Sequence, residues 1–400
     1  MRHREEPGGL VAHLAREMDA LREAGTLKVE HALEGAQGPT VVVDGREVIM
    51  LTSNNYLGLA DHPAVREAAR AALDAWGFGM ASVRFICGTQ TLHLTLERRL
   101  ADFFGCDDAI LYTSCWNANE ALFATTLEAG DAVFSDALNH ASIIDGIRLC
   151  KATRHRYPHD DLDALTALLE QDQSRHRLVI TDGVFSMEGK LARLPALLEI
   201  CRRQGALLVV DDSHATGVLG ARGRGTAEEL GLHGAVDITT GTLGKAMGGA
   251  AGGFIAGPGA VIETLRQRSR PYLFSNALPP PIVAASLAAF DLLDAEPERV
   301  ARLRANTEHF RTGLVARGFD VPAGVHPIVP ILVGETALAI RLSRELLAEG
   351  VYISGFGFPV VPHGEARLRA QISAAHEVSQ LDAAVEAIAR VASRHGVLPS

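Results

Sequence analysis

Short apolar runs alternate with longer helix-like stretches through the middle of this 400-residue chain. In Leu162–Glu170, for example, leucines recur at helical spacing. This alternation predicts an α/β fold in which a mostly parallel central sheet carries helices on both faces. The predicted strands are Ala109–Tyr112, Ala132–Ser135, Leu178–Thr181, Ala206–Val210, Val236–Thr239 and Gly253–Ala256. Because ligands bind such sheets at the carboxyl ends of the strands, the residues that follow each strand are the candidates for a site.

The two ends of the chain are organised differently. Residues 10–24 carry an apolar face typical of an amphipathic helix, and an Asp-Gly pair between Thr40–Val43 and Val48–Leu51 predicts a hairpin. A long helical stretch, Ile282–Asn306, leads into a C-terminal segment that mixes helices and strands. We therefore predict an N-terminal helix and β segment (residues 1–53), a large domain (54–285) and a smaller C-terminal α+β domain (286–400).

Composition argues against several classes of protein. The net charge of −10 disfavours nucleic acid and membrane surfaces as partners, since both require a basic face. No apolar run is long enough for a transmembrane helix, and the charged start lacks the apolar core of a secretory signal. The five scattered cysteines contain no Cys-x-x-Cys pair. This usage predicts free thiols in a reducing cytoplasm, with neither disulfides nor a metal site.

Lys245 lies in a bed of small residues directly after the predicted strand Val236–Thr239. A lysine in such a setting is poorly hydrated, so its amine can lose a proton and form a Schiff base with a carbonyl. A flexible surface loop is the alternative interpretation of this glycine-rich segment.

Three polar residues follow two other predicted strands. Asp211 emerges from the apolar strand Ala206–Val210, where a buried carboxylate requires a cationic partner such as a protonated pyridine nitrogen. His214 lies three residues further on, and His140 follows the strand Ala132–Ser135, where it could stack on a flat ligand or move protons. A helix cap at the aspartates and satisfied structural histidines are the alternatives.

Further candidates are an anion site and a carboxylate clamp. Ser114, Cys115 and Trp116 open a helix after a strand, and free N–H groups there suit a phosphate, although a plain cap by Ser114 is also possible. Ser186 offers a hydroxyl ligand, or merely fills a loop. Strand alternation at Arg367-Leu368-Arg369 predicts that one arginine faces inward as a clamp and the other faces outward, with a solvated pair as the alternative.

Together these residues form the set that pyridoxal 5′-phosphate requires. They supply a Schiff-base lysine, a carboxylate for the ring nitrogen, a stacking histidine, a phosphate-binding helix start and an arginine for a substrate carboxylate. The cofactor then serves as an electron sink held by its phosphate and its protonated ring nitrogen.

At this point the chain resembles the α-oxoamine synthases, fold-type I pyridoxal-phosphate enzymes that join an amino acid to an acyl-CoA. Within that family it is most similar to the glycine C-acetyltransferases. The similarity runs from about Leu51 to His376. It is carried by residues 54–59, 77–90, 135–146, 240–254 and 266–276.

The resemblance implies a role for each candidate residue. Lys245 would form the Schiff base and later move the Cα proton, Asp211 would pair with the ring nitrogen, and His140 would stack on the ring. His214 and Ser186 would contact the cofactor's O3′, and His214 would also polarise the acyl carbonyl. Cys115, Trp116 and Thr242 would bind the cofactor phosphate. Ser275 and Asn276 of a second subunit would bind the same phosphate. Asn54 and Arg369 would bind the substrate carboxylate.

The implied reaction condenses glycine with acetyl-CoA, or a related acyl-CoA, to 2-amino-3-oxobutyrate and CoA. Such an enzyme would be a homodimer with shared active sites, and its product would connect to threonine breakdown. Another acyl thioester or amino acid, a fold-type I aminotransferase or aldolase, and a non-catalytic pyridoxal-phosphate-binding regulator are the competing interpretations.

The chain departs from the acetyltransferase pattern at three places. Trp116 and Asn117 replace the usual Phe and Asp, Phe254 replaces a tyrosine, and Gly357 stands where an aromatic residue is expected before Phe358-Pro359. Our hypothesis is that the loss of an aromatic at Gly357 opens the pocket to a different or bulkier substrate.

Overall fold

The computed structural model describes residues 9–358 and 360–398. The helices are α1 (Leu10–Glu23), α2 (Pro63–Trp76), α3 (Thr91–Phe104), α4 (Cys115–Thr126), α5 (Ala141–Leu149), α6 (Leu162–Gln171), α7 (Leu194–Gln204), α8 (Thr226–Glu229), α9 (Gly259–Arg268), α10 (Arg270–Leu273), α11 (Pro280–Ala295), α12 (Glu298–Ala316), α13 (Thr336–Ala348) and α14 (Val378–Arg394). The strands are β1 (Thr40–Val43), β2 (Arg46–Met50), β3 (Asp108–Tyr112), β4 (Ala132–Asp136), β5 (Thr153–Tyr157), β6 (Arg177–Asp182), β7 (Val184–Phe185), β8 (Lys190–Leu191), β9 (Leu207–Asp211), β10 (Ile238–Thr242), β11 (Gly253–Gly257), β12 (Ile328–Gly334), β13 (Val351–Tyr352), β14 (Ser354–Phe356) and β15 (Ala366–Gln371).

A seven-stranded sheet in the order β3-β11-β10-β9-β6-β4-β5 forms the centre of the molecule. Only β11 runs against its neighbours, β10 and β3. This confirms the predicted α/β class and all six predicted strands. The seventh strand, β5, was not predicted because its sequence Thr-Arg-His-Arg-Tyr carries no apolar run. As an edge strand with three exposed side chains, it does not need one.

The carboxyl edge of this sheet holds the candidate residues close together. β9 and β6 end at Asp211 and Asp182, which are register partners in the sheet. At Gly253 a Cβ atom would lie 2.2 Å from the carbonyl carbon of Ser114, so only glycine lets β11 pack against the start of α4. The first turn of α4 is thereby fixed at the edge of the sheet.

The predicted hairpin near the N-terminus is present. β1 and β2 pair antiparallel through a two-residue turn in which both Asp44 and Gly45 have positive φ. β2 then pairs in parallel with β13, so the N-terminal β segment joins a sheet with the C-terminal part of the chain. The predicted amphipathic helix also forms, as α1, but none of its residues is buried.

A second sheet, in the order β12-β15-β14, lies in the C-terminal part. Its hydrophobic core contains Leu51 and runs from Phe310 onward, whereas Val300 and Leu303 pack in the core of the large sheet. The domain limits at 53/54 and 285/286 remain a prediction. Among the described residues, no helix combines the length and apolarity needed to cross a membrane.

Candidate active site

Lys245 follows β10 at the carboxyl edge of the central sheet. Burial lowers the pKa of its amine below the ordinary value of 10.5, and the charge of Asp211 opposes that shift. The charges of Asp182 and Arg369 also act on this amine, so these side chains lie in one electrostatic neighbourhood. A lowered pKa increases the fraction of neutral, nucleophilic amine, as Schiff-base chemistry requires.

The Asp211 carboxylate is buried and held from two sides. Its Oδ1 accepts a hydrogen bond from the Ser213 backbone N–H at 2.9 Å, and its Oδ2 accepts one from the Asn119 side chain at 2.8 Å. The neighbouring Asp182 carboxyl has a pKa well above its usual range, because it is buried and lies near Asp211. The two donors to Asp211 come from different elements and fix the orientation of its carboxylate.

His140 caps the N-terminus of α5. Its backbone N–H donates to Asp182 at 2.9 Å, and its Nδ1 lies 2.8 Å from the Ser142 hydroxyl. The indole of Trp116 meets the imidazole edge-on, with ring centroids 6.2 Å apart. The ring is therefore held in place by contacts on two sides, while the side chain itself stays exposed.

The predicted anion site is the first turn of α4. Ser114 caps this helix by accepting from the Asn117 N–H, so the plain-cap interpretation and the anion site are compatible. The amides of Cys115 and Trp116 belong to the turn that Gly253 supports. The Thr242 hydroxyl donates to the Gly252 carbonyl and accepts from the Gly244 N–H, which fixes the loop before Lys245.

A hydrogen-bonded chain runs from His214 to the C-terminal sheet. The hydroxyl of the fully buried Tyr56 lies 2.9 Å from His214 Nδ1 and 3.3 Å from Asn54 Oδ1. The Gln371 amide donates to both Tyr56 and Asn54. Burial raises the pKa of Tyr56 to about 12, so its hydroxyl stays protonated. Burial, together with the charges of Lys245 and other groups, lowers the pKa of His214 well below 6.5, so its ring is neutral.

The two arginines of β15 correct one prediction. Both Arg367 and Arg369 are buried, whereas alternation was expected to turn one of them outward. Residues two apart on a strand point to the same face, so the expectation misapplied the period of the pleat. Arg367 is paired with Glu188 and Glu365. Arg369 donates to the Ser186 carbonyl at 2.9 Å and stacks on an aromatic ring, and its buried Nε has no hydrogen-bond partner among the described residues.

Ser275 and Asn276 lie in a different environment. Asn276 is exposed and forms an isolated bridge with Val83, next to Phe274, which is 71 % exposed. In the part of the chain that the structure describes, neither residue shares a hydrogen bond with the groups around Lys245. Within one chain the structure therefore does not join these two candidates to the rest of the site.

The three sequence departures have structural explanations. The Asn117 side chain accepts from the hydroxyls of Thr113 and Ser114 in the first turn of α4. Phe254 is fully buried in the core against Phe104, so it does not face the pocket. At Gly357 an added Cβ would lie 2.3 Å from side-chain atoms of Thr336. Thr336 occupies that space, so Gly357 does not open the pocket as hypothesised; Pro359 is outside the described residues.

Two residues that sequence reasoning did not select are Asn119 and Gln371. Both are buried amides that bond directly to selected residues, Asp211 and Asn54. Asn119 lies four residues after Cys115, one turn further along the same helix face, and that spacing could have indicated it. Gln371 lies two residues after Arg369 on β15 and therefore on the same face. Correct use of the strand period would have indicated it.

These residues fit pyridoxal phosphate. A buried carboxylate, a lysine of lowered pKa and the start of α4 lie at one sheet edge. The unpartnered Nε of Arg369 is free to donate to a carboxylate brought by a ligand.

Comparison with known proteins agrees with this geometry. The family Aminotransferase class I and II matches residues 46–388. The 2-amino-3-ketobutyrate coenzyme A ligase of Salmonella typhimurium is 50% identical over 98% of this chain and 99% of its own length. The 8-amino-7-oxononanoate synthase of Symbiobacterium thermophilum is 45% identical over 97% of this chain and 100% of its own.

Solved structures give the same result. The serine palmitoyltransferase of Sphingomonas wittichii superposes with a TM-score of 0.93 at 30% identity, covering 98% of this chain and 100% of that chain. A high-resolution structure of SPT with a PLP internal aldimine has the same TM-score, identity and coverage. This chain therefore belongs to the α-oxoamine synthases, the pyridoxal-phosphate-dependent enzymes within the aminotransferase class I and II family.

Proposed function

We propose that this protein condenses glycine with acetyl-CoA to 2-amino-3-oxobutyrate and free CoA. The observation that carries the proposal is the 50% identity, over nearly the full length of both chains, to 2-amino-3-ketobutyrate coenzyme A ligase. The arrangement of Lys245, Asp211 and Arg369 supplies the groups that the reaction requires.

Pyridoxal phosphate, when bound, supplies a carbonyl for an amine and a ring that accepts electrons from Cα. Lys245 provides the amine, and burial lowers its pKa, which increases the fraction that is neutral. The carboxylate of Asp211, at the end of β9, would pair with the ring nitrogen and favour its protonated form. When it is not bound to the cofactor, the amine of Lys245 would be the base that takes the Cα proton of the substrate.

The substrate carboxylate belongs between Arg369 and Asn54. Arg369 has an unused Nε, and Asn54 is bonded to Gln371 and Tyr56. His214 is neutral, so one ring nitrogen can donate to an oxygen, and Tyr56 holds the other nitrogen. We assign to His214 the polarisation of the acyl carbonyl, with O3′ of the cofactor as a second contact shared with Ser186.

We further propose a homodimer in which Ser275 and Asn276 reach the cofactor phosphate of the partner subunit. Phe85 and Ile86 are 63% and 69% exposed close to the bridge between Val83 and Asn276, and Phe274 adds a further exposed ring. An apolar surface of this kind around two polar candidates is typical of a subunit interface. The exposed apolar side chains of α1 provide a second such surface.

We also propose a place in threonine breakdown, because oxidation of the threonine hydroxyl gives 2-amino-3-oxobutyrate. We propose a cytoplasmic location, since the free, unpaired cysteines suit a reducing compartment.

The decisive experiment compares Lys245→Ala with the wild type. We expect the visible absorbance of the bound cofactor to disappear and CoA release from acetyl-CoA and glycine to fall by about a thousandfold or more. Lys190→Ala is the matched control, since Lys190 is an exposed lysine paired with Asp160. Full turnover in Lys245→Ala contradicts the proposal.

A different acyl thioester is the second candidate function. The 45% identity to 8-amino-7-oxononanoate synthase favours keeping it. A panel of acyl-CoAs and amino acids, assayed by thiol release that requires both substrates, separates the two. Preference for acetyl-CoA and glycine supports the first function, and thiol-free amino transfer supports an aminotransferase.

A further inference from the structure

Asn119 is a fully buried polar side chain for which the reaction as described has no direct use. It lies on α4, and its amide nitrogen donates two hydrogen bonds. One goes to Asp211 Oδ2 at 2.8 Å and the other to Ser142 Oγ at 2.9 Å. An amide nitrogen carries two N–H groups, so both of its strong donors are used.

The second of these bonds continues to His140. The Ser142 hydroxyl lies 2.8 Å from His140 Nδ1, and the Ser142 backbone N–H also donates to that nitrogen. A nitrogen that accepts a backbone N–H carries no proton of its own, so the ring proton of neutral His140 is on Nε2. Asn119 therefore connects, through a single serine, the carboxylate beneath the ring nitrogen with the histidine assigned to the ring face.

The orientation of the Asn119 amide is determined by its surroundings. Its Oδ1 is buried and has no hydrogen-bond partner among the described residues. Rotating the amide by half a turn would bring Oδ1 against the Asp211 carboxylate and place two acceptors in contact. This orientation leaves one buried oxygen without a hydrogen bond, which destabilises the fold, while both N–H groups donate to Asp211 and Ser142. Such a cost indicates that the two donors have a role.

We propose that Asn119 is a positioning residue that holds the Asp211 carboxylate directed at the cofactor's ring nitrogen and, through Ser142, fixes the orientation of His140. The inference rests on the proposed function, because it concerns the pyridoxal phosphate site. Its effect on the cofactor passes through the ring nitrogen, and this gives it a distinctive signature.

The test measures the affinity of the apoprotein for pyridoxal phosphate and for its 1-deaza analogue, in which carbon replaces the ring nitrogen. For Asn119→Leu we expect the affinity for pyridoxal phosphate to fall by about ten- to a hundredfold, the usual effect of a hydrogen bond to a charged group. The affinity for the analogue should fall by less than about threefold, since it makes no bond with Asp211. Equal losses for both compounds would overturn the proposal.

Matched variants separate positioning from loss of structure. Asn306→Leu removes another buried helical asparagine, one whose amide donates to the Ser373 and His376 carbonyls, and it should affect both compounds equally. Ser142→Ala keeps the bond between Asn119 and Asp211 and also keeps the backbone N–H that donates to His140 Nδ1. Selectivity for pyridoxal phosphate should therefore persist, while the NMR chemical shift of His140 Nδ1 should change because this nitrogen loses the Ser142 hydroxyl as a partner. An unchanged His140 in that variant contradicts the connection through Ser142.

Asn119→Ala serves the same comparison if Asn119→Leu does not fold. A wild-type protein that binds neither compound overturns the proposed function and this inference together. Binding of pyridoxal phosphate by the wild type, with no selective loss in either Asn119 variant, overturns the inference alone.

Discussion

Arg367 and Arg369 lie two residues apart on the same face of β15, yet their surroundings differ. Arg367 is neutralised by Glu188 at 3.1 Å and Glu365 at 3.0 Å. Arg369 is also buried but forms no ion pair within the described part of the chain, and its protein partners include the Ser186 carbonyl. A buried cation without a counter-ion is unfavourable, so its retention indicates a ligand that brings the missing carboxylate.

Buried charges near the central sheet show the same contrast. Glu97, fully buried on α3, is shared by Arg84 and Arg266, and this cluster ties together the segments that precede and follow the sheet. Neutralised buried charges of this kind maintain the fold. Arg369, whose charge has no ion-pair partner among the described residues, lies at the candidate site. The predictions below test this division, beginning with the largest effect.

Arg369→Gln should lower kcat/KM for the amino acid by about a thousandfold, mainly through KM, because a buried carboxylate loses its charged donor. Thermal stability should be unchanged or higher, since an uncompensated buried charge is removed. Steady-state kinetics and calorimetry check both parts. A large fall in the melting temperature, with KM unchanged, would place Arg369 among the structural arginines.

Arg367→Gln should show the reverse behaviour. Removing one member of a buried ion pair leaves Glu188 without its partner and should cost about 3 kcal/mol in the free energy of unfolding. The value of KM for the amino acid should change by only a few fold. Denaturant unfolding measures the first quantity, and a rise in KM comparable to that of Arg369→Gln contradicts the comparison.

A pH titration of His326 tests whether the buried region around Arg369 tolerates a second positive charge. Burial lowers the pKa of His326 from 6.5 to about 3, and the charges of Arg311, Lys245 and Arg369 contribute to the shift. The unfolded chain then binds a proton between these two pH values that the folded chain does not bind. The stability contributed by the neutral ring is therefore lost as the pH falls through this window, by about 2 kcal/mol between pH 6.5 and pH 5.

The measurement is the free energy of unfolding at several pH values for the wild type and His326→Gln. The variant should be less stable at neutral pH but should depend less steeply on acid, because its side chain does not titrate. Parallel curves for the two proteins would show that folding does not lower the pKa of His326.

The smallest effect concerns Gly357, which follows β14, the neighbour of β15. Gly357→Ala should cost about 1 kcal/mol or somewhat more, since its Cβ would meet Thr336 at 2.3 Å. Adding Thr336→Gly should recover part of this loss. Equal stability of the wild type and Gly357→Ala would show that there is free space between Gly357 and Thr336. A widened pocket would then again be a possible explanation of substrate choice.

Much of the fold and part of the site could be predicted from local sequence. The apolar runs located the central strands, and the polar residues after them gave Lys245, Asp211 and His140 as candidates, because parallel strands end at a common edge. Asp44-Gly45 predicted its hairpin because few dipeptides adopt two successive positive φ angles. The edge strand β5 was missed because a strand with one neighbour and exposed side chains needs no apolar run.

Sequence alone therefore determined which chemical groups this protein possesses and at which end of the sheet they lie, since periodicity and turn chemistry act over a few residues. Only the tertiary structure decided which of those groups have an ion-pair or packing partner. Arg367 and Arg369 have the same side chain on the same strand, and Thr336 fills the space at Gly357 from another element. Partners of this kind come from distant parts of the chain, so the ion pairs, the unpaired arginine and the link from Asp211 through Asn119 to His140 exist only once the chain has folded.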